Sequence, residues 1–169
     1  MQFPRAGGIL LHPTSLPGPY GIGDLGPQAH QFLDWLARAG CRVWQVLPLG
    51  PTGFGNSPYQ AHSVFAGNPN LVSLSLLLKD GLLGESDLHE APWPRTTRRR
   101  PALVDYARTV PVKIRALGRA YDRFQQGHFP ALETEFSNFC LASTHWLGDF
   151  SLFMAIKESF SGASWIEWP

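Results

Sequence analysis

The sequence predicts an α/β fold of the parallel type, on three observations. Two short apolar runs, Gly8-Ile9-Leu10-Leu11-His12 and Val43 to Leu47, are bounded by breakers and read as buried strands. A helical pattern lies between them, giving strand–helix–strand in about 40 residues, the length of one βαβ unit. Each run leads into a long loop of turn-formers, which is where parallel α/β folds place their binding sites.

The elements follow in order. The first strand is ended by Pro13, and residues 13–26 form a loop carrying Pro13, Pro17, Gly18, Pro19, Gly21, Gly23 and Gly26. Pro27 suits the first position of a helix. Ala29, Phe32, Leu33 and Leu36 recur at helical spacing, and Gly40 supplies the stop. The second strand should lie parallel to the first across a right-handed crossover. A second loop runs from Pro48 to about Pro69. Leu71-Val72-Ser73-Leu74 reads as a brief extended piece, Ser75 to Leu83 as a short helix ending at Gly84, and Ser86-Asp87 as the start of another helical turn. Pro92 to Pro101 is irregular and contains Arg95 and Arg98-Arg99-Arg100. From Pro111 the pattern turns helical, with Val110, Ile114, Leu117, Tyr121 and Phe124 in steps of four and three. Leu132, Phe136, Phe139 and Cys140 mark a further helix, and Trp146 to Met154 another, closing near Gly162. The chain therefore divides at about residue 74. Residues 1–74 read as the start of a parallel α/β domain, and residues 75–169 as a mostly helical insertion and the start of a return to that domain. Two strands do not complete a parallel sheet, and a closed (β/α)8 barrel takes about 250 residues. With its aromatic ending, Trp165-Ile166-Glu167-Trp168-Pro169, the sequence reads as a chain cut short.

Composition narrows the function. A formal net charge of +1 gives no electrostatic case for nucleic acid or an acidic membrane surface. No apolar run approaches the roughly 20 residues that span a bilayer. The N-terminus lacks the regions of a secretion signal. Cys41 and Cys140 read as reduced, packed thiols, in keeping with a cytoplasmic protein. With 17 glycines and 15 prolines grouped in loops, structured loops are expected rather than disorder.

Most motifs carry little chemistry. Gly21-Ile22-Gly23-Asp24-Leu25-Gly26 matches G-x-G-x-x-G, but eight residues separate it from the strand end at His12. No acidic residue stands about 20 positions further on, so a tight loop feeding a helix is the expectation. The six histidines form no ligand pair, and no metal or other cofactor is expected. His12 ends a strand on the face where sites form, and reads as a packed side chain. No carboxylate directly follows a strand, Glu133 and Glu135 do not face each other on a helix, and Ser15, Ser57 and Ser63 lack a nucleophile-elbow context. No catalytic residue is assigned. The informative stretch is Phe54-Gly55-Asn56-Ser57-Pro58-Tyr59-Gln60. Asn56, Ser57 and Gln60 can donate and accept together, as sugar hydroxyls do. Tyr59 offers a flat face with a polar tip. Composition alone leaves a carbohydrate contact and a self-satisfied turn both open.

The run Ala6 to Gly26, with His12-Pro13-Thr14-Ser15-Leu16-Pro17-Gly18, resembles the opening of the 4-α-glucanotransferase (amylomaltase, disproportionating enzyme) family. So do Trp44 to Gly53, Ser57-Pro58-Tyr59-Gln60, Ser63 to Pro69, and Trp146 to Glu158. The resemblance is dense in 6–73 and 146–169. It implies the N-terminal part of an incomplete (β/α)8 TIM barrel with an inserted helical subdomain. It implies retaining transfer of α-1,4-glucan segments to glucose or maltooligosaccharide acceptors, through a carboxylate nucleophile and a carboxylic acid about 5–5.5 Å apart. In the family these acids lie on later strands, so residues 1–169 alone are expected to be inactive, and with two barrel strands lacking partners they are expected to be poorly soluble. Substrate contact carries over to Tyr59, with Ser57 beside it and Asn56 and Gln60 as lesser candidates. The implied partners are maltooligosaccharides and α-1,4-glucans, with no nucleic acid, no membrane and no expectation for oligomeric state. The competing reading is a non-catalytic carbohydrate-binding module, which needs Tyr59 but no acids.

Overall fold

The structure, a computed structural model, describes residues 5–89, 93, 103–127 and 129–169. Strands β1 (Gly8–Leu10) and β2 (Val43–Gln45) pair in parallel, with Gly8 opposite Val43, Ile9 opposite Trp44 and Leu10 opposite Gln45. Both are shorter than the apolar runs that encode them, although the Leu11 N–H still donates to the Gln45 carbonyl (3.0 Å) just past the end of β1. A Cβ at position 8 would stand 2.6 Å from the Val43 carbonyl oxygen, so only glycine lets the two backbones meet there. The Trp44 indole N–H donates to the Leu11 carbonyl (2.7 Å) and holds the end of β1 against β2.

Helix α1 (Pro27–Arg38) connects the strands, opening on proline and ending before Gly40, whose φ of +72° is left-handed. Phe32 meets the Trp44 ring edge-on at 5.1 Å and docks the helix on β2. The strand–helix–strand expectation therefore holds. The extended piece expected over Leu71–Leu74 is confined to Val72 and Ser73, both extended in backbone. Asn68 accepts the Asn70 N–H (2.9 Å) and caps a 3-10 turn over Pro69–Leu71, and helix α2 starts at Leu74. α2 (Leu74–Lys79) also stops short of Leu83, at Gly81 (φ +76°).

Helix α3 (Glu85–His89) follows, then α4 (Tyr106–Gln125), α5 (Pro130–Ala142) and α6 (Leu147–Ser159). α4 begins five residues before the expected Pro111, because Asp105 caps it by accepting the Arg108 N–H (3.1 Å). Pro111 sits inside the second turn, where its missing N–H costs one helical bond. The irregular reading of 92–101 lies outside the described residues, apart from Trp93. Leu74, Leu82, Leu83, Leu88, Ala116 and Ala120 form the buried cluster, drawn from α2, α3, α4 and the turn between α2 and α3. Tyr20 and Trp93 pack on it and meet edge to face at 5.2 Å. α5 and α6 contribute no buried residue.

Candidate functional site

The loop after β2 folds into a short hairpin. Gly53 N–H donates to the Gln60 carbonyl (2.9 Å) and His62 N–H to the Pro51 carbonyl (3.0 Å), with Thr52 bridged to Ala61. The chain reverses through Phe54–Asn56, where Gly55 (φ +71°) and Asn56 (φ +54°) are both left-handed. Glycine and asparagine adopt that conformation at the lowest cost. Ser57 then orders the tip: its hydroxyl accepts the Tyr59 N–H (3.4 Å) and its carbonyl the Gln60 N–H (3.1 Å). Asn68 N–H closes the loop on the Leu49 carbonyl (2.9 Å).

A pocket of about 180 Å³ opens at the carboxyl ends of both strands. His12 and Leu47, each two residues past the end of its strand, stand on its strand side. Asn56 and Pro58 come from the hairpin, Thr14 and Ser15 from the first loop, and Asn68 and Tyr106 from further along the chain. The lining thus carries hydroxyls, amides, an imidazole and a phenol, and no carboxylate among the described residues. His12 Nδ1 lies 2.7 Å from the Thr14 hydroxyl and takes the Thr14 N–H at 3.4 Å. With Nδ1 so occupied, the ring proton of the neutral form belongs on Nε2, which is buried without a hydrogen-bond partner among the described residues. Burial lowers the His12 pKa, and the Pro48 carbonyl pulls the other way without completing a bond to Nε2. His12 therefore lines the pocket as a neutral imidazole beside amide and hydroxyl groups, with its Nε2 buried. That set can bind a polyhydroxyl ligand but holds no acid–base pair.

The four residues singled out in the sequence separate here. Asn56 enters the pocket wall. Ser57 uses its hydroxyl within the turn. Tyr59 is 73% exposed and Gln60 is exposed too, both on the hairpin tip outside the pocket lining. Asn68 and Tyr106 were missed, since only the folded chain brings them to the strand ends.

The family model described as 4-alpha-glucanotransferase matches residues 11–169, nearly the whole chain. The chain belongs to the 4-alpha-glucanotransferase family. The 4-alpha-glucanotransferase of Synechocystis is 52% identical over 164 residues, covering 97% of this chain and 32% of the relative. That of Thermus thermophilus is 46% identical over 169 residues, covering 100% of this chain and 32% of the relative. Among solved structures, amylomaltase from Streptococcus agalactiae in complex with acarbose superposes with a TM-score of 0.86 at 37% identity, covering 98% of this chain and 32% of that one. The chain spans about a third of the length of these members of the 4-alpha-glucanotransferase family.

Proposed function

We propose that this chain is the first part of a 4-α-glucanotransferase that transfers α-1,4-glucan segments to glucose or maltooligosaccharide acceptors. β1, α1 and β2 within residues 1–74 are the opening of a (β/α)8 barrel, and residues 75–169 are its mostly helical insertion and the start of the return to the barrel. The observation that carries this reading is a family match running the length of a chain whose parallel strands end at a pocket lined by hydroxyl and amide side chains. The reacting carboxylates belong to polypeptide beyond residue 169, and this chain supplies one wall of the cleft. Tyr59 presents its exposed ring to the apolar face of a glucose unit, with Ser57, Asn56 and Gln60 ordering or flanking that contact. A sugar held there competes with water for the glycosyl intermediate, which favours transfer over hydrolysis. Two unpaired cysteines, Cys41 and Cys140, support a reducing compartment, the cytoplasm.

The test is product analysis on the whole protein. Incubated with maltotriose, it should release glucose and build maltooligosaccharides longer than the substrate, while residues 1–169 alone do neither. Tyr59→Ala should raise KM for maltotriose about tenfold, equivalent to about 1.4 kcal/mol. Hydrolysis without longer products, or turnover by residues 1–169 alone, overturns the reading.

A further inference from the structure

Lys113 on α4 is fully buried, and nothing in the proposed reaction uses it. Its Nζ lies 3.5 Å from Asp24 Oδ2, itself buried, and donates to the Asn70 carbonyl at 2.7 Å. These partners belong to two different segments. Asp24 sits in the glycine-rich loop, where its Oδ1 accepts the Gly26 N–H (2.9 Å). Asn70 sits in the 3-10 turn over Pro69–Leu71. Leu25 N–H donates to the Leu71 carbonyl (3.0 Å) and ties the two segments together.

Each partner is one link from the pocket. Gly23 N–H donates to the Thr14 carbonyl (3.1 Å), and any Cβ at Gly23 would overlap the Pro13 and Leu16 carbonyl oxygens. Asn70 N–H is capped by Asn68, whose own N–H reaches Leu49. Tyr106 lies seven residues, two helical turns, before Lys113 and so on the same stripe of α4. Thr14, Asn68 and Tyr106 all line the pocket. The glycines that resemble a nucleotide fingerprint thus serve a different end: they let the loop close around Asp24.

Burial of both charges is costly, and well-packed apolar side chains commonly match or exceed the stability of such a pair. What apolar side chains lack is direction. We propose that Lys113, paired with Asp24, is a positioning residue for the glucan cleft. It registers α4, the glycine-rich loop and the Asn68 turn against one another, so that Thr14, Asn68 and Tyr106 keep the spacing that admits a sugar unit. This rests on the reading of the pocket as part of that cleft.

The experiment uses the whole protein with Asp24→Asn and Lys113→Met combined. Asparagine keeps an acceptor for the Gly26 N–H, and methionine keeps the length of the buried stem. The double variant should melt cooperatively, with kcat for maltotriose within about twofold of native and KM raised about fivefold or more. Amide exchange at Gly23 and Asn68 should quicken about tenfold. A folded double variant with native KM, or with native exchange at both amides, overturns the proposal. If the double variant does not fold, Asp24→Asn alone keeps both the Gly26 acceptor and the Lys113–Asn70 bond, and a native KM there overturns it equally. Should the native protein show no transfer, quickened exchange still supports the brace, and the glucan reading alone fails.

Discussion

Asp87 shows how one side chain can serve several structural needs. Its Oδ2 accepts the Gly84 N–H (2.7 Å) at the start of α3, and it pairs with Arg123 (3.1 Å) and Arg119 (3.8 Å) on α4. Arg119 also donates to the Asp87 carbonyl (3.1 Å). The Gly84 N–H is the largest cause holding the carboxyl below its ordinary pKa; partial burial opposes it, and the two arginines reinforce it. A folded pKa below the unfolded value means the stabilisation is present above the unfolded pKa, near 4, and is lost as pH falls through the folded pKa. Asp87→Asn keeps an acceptor for the Gly84 N–H but loses the charge, so it should cost about 1 kcal/mol at pH 7, the worth of the partly exposed ion pairs with Arg119 and Arg123. At pH 3 and below, the gap between variant and native should shrink. Urea midpoints at both pH values check this, and an equal gap at both would refute the charged role of Asp87.

Between elements, the clearest single anchor is Leu74, fully buried at the start of α2 among side chains from α3 and α4. Leu74→Ala should cost about 2–5 kcal/mol through lost burial and the cavity left behind, read as a lowered urea midpoint. A loss under 1 kcal/mol would place the packing centre elsewhere. The elements show what a sequence can disclose. β1, α1, β2, α5 and α6 were legible because their apolar spacing and bounding prolines and glycines are local signals. The Asn68 turn was misread because one side-chain cap, and not periodicity, decides it. The start of α4 was misread because Pro111 looks like a first-turn proline, whereas Asp105 caps the helix earlier. The site divides along the same line. The Asn56–Gln60 hairpin declared itself through turn chemistry, but Asn68, Tyr106 and the Lys113–Asn70 bond join positions far apart in sequence, 43 residues in the last case. No local pattern encodes such meetings.

At the scale of the molecule, the feature that matters is apolar surface without a cover. β1 and β2 form a two-stranded sheet whose outer edges are unpaired among the described residues. Leu10 and Val43 on it are about half exposed, at 55% and 48%. α5 and α6 are joined at a bend of 100° and bury no residue, leaving Leu141 and Leu152 largely open. Phe65 also stands out from its loop, stacked on Trp146 at 6.1 Å. Open strand edges and contiguous apolar faces promote association. Prepared alone at micromolar concentration, residues 1–169 should therefore bind a hydrophobic dye and self-associate in light scattering. If the sheet is the driving face, Leu10→Lys with Val43→Lys should reduce scattering, since charged residues are how natural edges resist pairing. If the helical faces drive it, the same pair of substitutions should leave scattering unchanged while Leu141→Lys with Leu152→Lys lowers it. A monomer that melts cooperatively and takes up no dye would mean that these surfaces need no cover. The proposed barrel would then lose its strongest physical support, since a sheet and two helices content in water have no reason to recruit further strands.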